Sequence, residues 1–364
     1  MHIAAVINSL TGGGAERTLT MLASEWAQHG HRVTIVTFQN QSAAEDIVQS
    51  GVMHHPLSSS SRGIGGALKT WWRLRKYLVK HQPDVIVSFM DQANILTLIA
   101  QWWTKTPVII SERIYPEYSS LLVAVQSGFV RWLIRTFRNI VYRRAQVLVV
   151  QTEQIADYFS KLSHVPTLVI PNPIVEPSSL GPPLELKKPT IIAIGRLVEQ
   201  KRFDLLIDAF RQSNIAKAGW HLSIVGEGSL KDLLLQRIAD LGLESSVYLL
   251  GRQTNIREIL AQADIFVLCS DYEGFPVALG EAMIMKKAVI ATDCPSGPRA
   301  LIADNSCGLL VSTGSCSELS DALERLIKDP TLRHALGTAA ERRAQEFSLS
   351  VIAERWLNVM KELR

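Results

Sequence analysis

A repeated alternation of short apolar runs with longer amphipathic stretches, begun twice along the chain, most constrains what it can fold into. In the first half, IAAVIN (3–8), RVTIVTF (32–38), DVIVSF (84–89), PVIIS (107–111) and AQVLVVQT (145–152) have the length and β-branched content of buried strands. The segments between them carry helical spacing, as in GAERTLTMLASEWAQHG, which Gly30 closes. Repeated β-α-β of this kind predicts a parallel sheet with helices on both faces. The stretch 171–189 then holds six of the fifteen prolines and reads as a linker. After it the alternation restarts with TIIAIG, LSIVG, VYLLG, DIFVLCS and AVIAT. The expected architecture is α/β: two Rossmann-like, doubly wound domains facing across a cleft. The expected boundaries are 1–172, a linker at 173–189, 190–345, and a helix over 346–364 crossing back to the first domain. In such sheets ligands sit beyond the carboxyl ends of the strands.

Charge separates the halves. Residues 1–172 hold 16 Lys and Arg against 10 Asp and Glu, whereas the remainder holds 22 against 24. The first half is the one suited to an anionic partner. None of the four cysteines forms a Cys-x-x-Cys pair or stands beside a His cluster, so they read as reduced thiols and no metal site is expected. The N-terminal sequence lacks a signal-peptide pattern, and no run approaches the ~18 apolar residues of a spanning helix. The expectation is a cytoplasmic protein that at most lies on a membrane, with no nucleic-acid partner.

Two loops are suited to phosphate. TGGGAER (11–17) places three glycines before a helix, where backbone amides face an anion; a plain tight turn is the alternative. The dinucleotide fingerprint and the P-loop are both absent, which argues against nicotinamide, flavin or P-loop chemistry. In IIAIGRLVEQKRF (191–203), Arg196 and Lys201 stand in the loop after a strand. A guanidinium fork and a mobile ammonium suit a diphosphate. Each is worth about 4 kcal/mol at ~4 Å in an effective dielectric near 20, before desolvation. Two ordinary solvated charges are the alternative when this motif is taken alone.

Taken together, Gly195-Arg196-x4-Lys201, VGEGS (225–229), LLGR (249–252) and the E-x7-E stretch EGFPVALGE (273–281) occur in one order and spacing. The set resembles the retaining family-4 glycosyltransferases of the GT-B fold over essentially the whole chain. The resemblance implies a UDP-sugar donor and no metal or other cofactor. It implies that Arg196 and Lys201 bind the donor diphosphate and that Glu281 accepts the ribose hydroxyls. Glu273 would face the donor sugar with the amides of Gly274 and Phe275, and Pro276 would open the following helix. Gly251 and Arg252 would line the base pocket, and Gly13 and Gly14 would let the first domain's loop approach the phosphates. Glu273, Arg196 and Lys201 are thus the expected catalytic groups. Where many relatives carry a histidine, this chain has SERIYPE (111–117), so Glu112 and Arg113 either contact a substrate or pair with each other.

Two basic helices point to the acceptor. Lys69, Arg73, Lys76 and Lys80 fall within about 60° of one another at 100° per residue, opposite Ala67, Trp71, Leu74 and Leu78. In 128–144, Arg131, Arg135 and Arg138 form one line, and Phe129, Leu133, Phe137 and Ile140 lie on an apolar arc with Trp132 at its border. Ordinary amphipathic helices with solvated basic faces are one reading. The other is contact with an anionic inner-leaflet membrane surface and a polyprenyl-diphosphate-linked glycan acceptor. NSLTGGGAER, SERIYPE and CPSGP resemble the branch that extends such lipid-linked oligosaccharides. Alternatives are a GT-B-fold epimerase, a transferase with a soluble acceptor, and a non-catalytic sugar-nucleotide binder.

Overall fold

A computed structural model describes residues 1–10, 13–39, 51–58, 63–102, 104–118, 127–162, 164–178, 181–182 and 184–363. Gly12 of the triple glycine lies outside these residues. The chain divides into two compact units, Met1–Pro173 with Leu349–Arg364, and Ile174–Ser348.

The first unit is built on a seven-stranded sheet: β1 (His2–Ile7), β2 (Arg32–Thr37), β3 (Met53–Pro56), β4 (Val85–Phe89), β5 (Val108–Ser111), β6 (Val147–Val150) and β7 (Thr167–Val169). The order is β3-β2-β1-β4-β5-β6-β7, with every pairing parallel. The second unit holds six strands, β8 (Thr190–Ile194), β9 (His221–Val225), β10 (Val247–Leu249), β11 (Ile265–Leu268), β12 (Ala288–Thr292) and β13 (Leu309–Val311). Their order is β10-β9-β8-β11-β12-β13, again all parallel. Both sheets are doubly wound, and strand order reverses between β1 and β4 and between β8 and β11. Those are the places where such folds bind ligands.

Ten of the thirteen strands coincide with the apolar runs seen in the sequence. The runs are continuous because helices cover both faces of each sheet. The three that escape the sequence, β3, β7 and β13, are short edge strands. Met53 in β3 and Leu168 in β7 are exposed, so their side chains carry little apolar signal.

The proline-rich segment is not a free connector. Ile174 and Leu186 are buried in the second unit's core, and Leu186 N donates to Gln262 Oε1 at 3.0 Å. The final helix, Leu349–Glu362, belongs to the first unit. Its Trp356 is wholly buried, with ring centroids 6.0 Å from Trp26 and 5.7 Å from Phe89. Ile352, Ala353, Leu357 and Met360 complete this face and pack with Leu19, Leu22 and Trp26 of helix Gly14–Gln28.

Truncating Trp356 to Ala should lower the first unit's stability by roughly 3–5 kcal/mol, through lost burial plus a cavity. Urea unfolding followed at probes in each unit checks this: the first unit's midpoint falls and the second unit's changes little.

Candidate functional site

In the second unit, the loops leaving β8 and β11 meet at the switch point. The β8 exit runs through Gly195, the exposed Arg196 and a 3-10 turn, Glu199–Lys201. Arg202 follows in the left-handed region (φ 47°) and opens helix Phe203–Gln212. The β11 exit runs through Cys269 to Pro276, ahead of helix Val277–Ile284. Four polar contacts join the two loops. Gln200 Nε2 donates to Tyr272 O (2.7 Å), Asp271 N to Gln200 O (2.9 Å), Cys269 Sγ to Lys201 O (3.0 Å) and Arg202 Nη1 to Asp271 Oδ1 (3.2 Å).

This junction brings Lys201 Nζ to 2.6 Å from Glu273 Oε1. Ser270 Oγ donates to the same carboxylate oxygen at 2.7 Å. Lys201 is mostly buried and Glu273 almost wholly so, and such a pair is screened far less than a surface one. Glu273 is also held through its backbone: its N–H donates to Pro295 O (2.6 Å), and Ser296 N–H donates to Glu273 O (3.1 Å). The turn after it packs on Gly297, where a Cβ would lie 2.3 Å from Pro276 Cδ and 2.7 Å from Gly274 O. Pro276 is the residue before the helix, whose first residue is Val277. Glu281 lies inside that helix and is buried.

The floor beside this pair is made of strand exits in register. Gly195 N donates to Val225 O (2.9 Å) and Gly226 N to Gly251 O (2.8 Å). Gly226 has φ 148°, and a Cβ there would stand 1.8 Å from Gly195 O. Only glycine allows that approach. Arg252 follows Gly251 and is exposed. The sequence motifs therefore gather at one edge of this sheet, and Ser270, Gln200 and Asp271 join them without any signal of their own in the sequence.

At the corresponding edge of the first unit, Asn8 Nδ2 donates to Gln92 Oε1 (3.0 Å) across the β1/β4 switch. Gly13 and Gly14 open helix Gly14–Gln28 and are exposed. The Glu16 carboxylate folds back against Gly13: a Cβ at Gly13 would lie 2.1 Å from Glu16 Oε2.

Glu112 and Arg113 do not pair with each other. The Glu112 side chain is turned into the core, where Oε1 receives the Tyr142 hydroxyl and faces Asn94 Nδ2 at 3.5 Å. Burial pushes its carboxyl up to about 7, and Asp91 adds to the rise, while Arg138, Tyr142 and Asn94 oppose it. Arg113 turns elsewhere: Nη1 donates to Asn172 Oδ1 (2.6 Å), and its Cζ stands 3.8 Å from the Phe89 ring centroid.

The basic helices differ from the sequence expectation in one important respect. On Gly63–His81, Lys69, Lys76 and Lys80 are exposed and Leu74 and Leu78 buried, while Arg73 is committed to the carbonyls of Leu57 and Ser58. On Gly128–Tyr142 the apolar arc faces outward: Phe129, Val130, Trp132, Leu133, Phe137 and Ile140 are all exposed. Arg138, read as part of the basic line, is buried with Val141 and Tyr142. Arg131 and Arg135 are half-buried, and Arg135 Nη2 lies 3.9 Å from Glu117 Oε1. Trp72, Leu68 and Val79 add exposed apolar surface on the first of these helices.

Two doubly wound units, each with loops converging at its sheet's switch point, have the GT-B fold. Residues 13–173 match the glycosyl transferase 4-like domain, and residues 181–343 match glycosyl transferases group 1. The chain belongs to these glycosyltransferase families, with one model on each half.

A GalNAc-alpha-(1->4)-GalNAc-alpha-(1->3)-diNAcBac-PP-undecaprenol alpha-1,4-N-acetyl-D-galactosaminyltransferase of Campylobacter jejuni is 28% identical over 370 residues, covering 100% of this chain and 99% of the relative. An amylovoran biosynthesis glycosyltransferase of Erwinia amylovora is 26% identical over 357 residues, covering 96% of each. Anabaena HepE in complex with UDP and glucose shares the fold, with a TM-score of 0.81 at 20% identity over 100% of both chains. Among the described residues, no cluster of His, Cys, Asp or Glu is placed to hold a metal ion, and no helix is long and apolar enough to cross a membrane.

Because its carboxyl is raised by burial, Glu112 contributes stability that is complete below about pH 4.5 and is lost as pH rises through about 7. The stability difference between wild type and Glu112→Gln should therefore shift in favour of Gln by on the order of 3 kcal/mol between pH 5 and pH 8. Denaturant titrations across that range test it. A pH-independent difference would contradict the raised carboxyl.

Proposed function

We propose that this chain is a retaining transferase that moves a hexose or N-acetylhexosamine from a UDP-sugar to a polyprenyl-diphosphate-linked oligosaccharide at the cytoplasmic face of a membrane. The observation that carries the donor half of this reading is the Lys201–Glu273 contact at the β8/β11 switch, with Arg196 on the same loop. In this reading the cation meets the diphosphate, and the carboxylate meets the sugar as it develops positive charge.

In this reading the bond between sugar C1 and the diphosphate oxygen breaks, and the bond from C1 to the acceptor hydroxyl oxygen forms on the same face. Arg196 and Lys201 stabilise the negative charge gathering on the departing UDP. Glu273 stabilises the oxocarbenium-like carbon. The acceptor's proton passes to the departing phosphate oxygen, so no side chain is required as base. Two fixed cations take the place a divalent metal would fill. Glu281, buried one helix further in, accepts the ribose hydroxyls, and Gly274, Phe275 and Pro276 shape the sugar site. Gly251 and Arg252 flank the base.

The acceptor half rests on the Campylobacter relative, which by its name acts on an undecaprenol-diphosphate glycan, and on the surface of the first unit. Helices Gly63–His81 and Gly128–Tyr142 both pack on helix Asp91–Ala100. They expose Trp72, Phe129, Trp132, Phe137 and Ile140 among Lys69, Lys76, Lys80, Arg143 and Arg144. Exposed apolar patches are a liability unless a partner covers them. Aromatics interleaved with cations suit an anionic bilayer interface, where rings sit at the headgroup level and lysines meet phosphate.

In a transfer assay, Lys201→Ala should lower turnover by about 10²–10³-fold, the usual effect of losing a transition-state charge partner. Glu281→Ala should act mainly on the donor, raising its KM roughly tenfold or more. A chelator should leave the rate unchanged. Wild-type kinetics in both variants, or a strict metal requirement, would contradict the assignment.

Vesicle flotation tests the membrane face. Phosphatidylglycerol vesicles should retain wild type at low salt and release it as salt rises. Trp132→Asp with Phe137→Asp, both at exposed positions, should weaken retention at least about tenfold. Failure of the vesicles to retain wild type would exclude the bilayer as partner, and retention unaffected by these changes would exclude this face.

A further inference from the structure

At the carboxyl edge of the first unit's sheet, Arg113 is held in place on two sides. Its guanidinium stacks on Phe89, with Cζ 3.8 Å from the ring centroid, and Trp356 lies 5.7 Å away. Nη1 donates to Oδ1 of Asn172, itself buried, at 2.6 Å. These contacts fix the plane of the group and its rotation within that plane. The remaining nitrogens are Nε and Nη2. Each has almost no exposed surface, and neither has a hydrogen-bond partner among the described residues. Glu112, next in sequence, offers no relief, because its carboxylate is engaged with Tyr142.

Nε–H and Nη2–H point in parallel along one edge of a guanidinium. That edge matches the oxygen spacing of a carboxylate or a phosphate. A cation buried without a counter-charge is costly to a fold, and burial alone already draws this guanidinium down to about 9. Residues held in such a state at the ligand edge of a doubly wound sheet are oriented for something that arrives.

We infer that the Nε–Nη2 edge of Arg113 seats one carboxylate or phosphate group of a substrate. The inference rests on the reading of the chain as a UDP-sugar transferase and adds an anion subsite on the first unit. Two oxygens of the anion accept the two N–H groups while Asn172 keeps the fork turned toward them. Because both nitrogens are buried, an arriving anion must displace whatever packs against this edge.

Calorimetric titration with three probes separates the sources of the anion. UDP reports the donor diphosphate, UDP-glucuronate adds a carboxylate on the donor sugar, and farnesyl diphosphate stands for the lipid end of the acceptor. Arg113→Gln should weaken one of these by about 10- to 100-fold and leave binding that does not involve that group within about twofold. Arg113→Lys keeps the charge but not the fork and should recover only part of the loss. Asn172→Ala keeps the arginine, and loss of its orientation should weaken the same probe by a smaller factor.

If folded Arg113→Lys and Asn172→Ala bind all three probes as wild type does, the inference is overturned. Equal weakening of all three probes also overturns it, since that marks general damage. Glu281→Ala serves as the control for the parent reading: UDP affinity lost there while the Arg113 variants stay unchanged defeats the subsite alone. Wild type that binds none of the probes defeats the parent reading.

Discussion

The short contact between Lys201 and Glu273 is the interaction on which the second unit's site depends. Neither residue reaches it alone. Lys201 arrives on a 3-10 turn after β8 and Glu273 on the loop after β11, and these strands are neighbours only because the sheet is doubly wound. The loops are then fastened by Gln200, Asp271 and Arg202. Glu273 gains a second donor in Ser270, whose own carbonyl receives Thr292 Oγ1 at 2.6 Å. A buried carboxylate needs such partners. In this structure the two charges satisfy each other. The proposed donor would divide them, with the ammonium turning to phosphate and the carboxylate to the sugar.

The first unit solves a different problem. Helix Gly128–Tyr142 carries a strong amphipathic pattern but buries the side that holds Arg138 and Tyr142, where they face Glu112. Its aromatic arc is left outside. That arrangement is unfavourable in water, and the proposed bilayer contact would cover it. The cost inside is partly offset by the attraction between Arg138 and Glu112, although none of the three Arg138 nitrogens has a hydrogen-bond partner. The same unit holds Arg113, whose Nε and Nη2 have no hydrogen-bond partner among the described residues. The proposed membrane face and anion subsite would both draw their complements from outside the chain.

Much of this was legible in the sequence, for physical reasons. Strands covered on both faces must be apolar throughout, so ten of them stand out as runs. β3, β7 and β13 sit at sheet edges and carry no such signature. Arg196, Lys201, Glu273 and Glu281 drew notice through motifs that resemble the family's, and the fold sets them on the segments that leave β8 and β11. Ser270 and Asn172 are not legible, since they matter through contacts across the sheet that no local pattern records. Periodicity located the arc of Phe129, Leu133, Phe137 and Ile140 on one side of a helix. Which side faces the core depends on the neighbouring helix Asp91–Ala100 and on a buried glutamate, and helical periodicity contains neither. Proline density likewise marked where the second alternation begins, but Ile174 and Leu186 anchor that segment to the second unit.

Mass spectrometry and anomeric analysis of a single reaction test the central claim most directly. Wild-type protein would be given a panel of UDP-sugars and a polyprenyl-diphosphate-linked saccharide in anionic vesicles. The account predicts that the lipid-linked product gains one hexose or N-acetylhexosamine, joined with the anomeric configuration it had in the donor. An inverted linkage would contradict the retaining mechanism. No mass added to the lipid-linked saccharide with any donor, alongside ready transfer to a soluble sugar or interconversion of the UDP-sugar itself, would contradict the account as a whole.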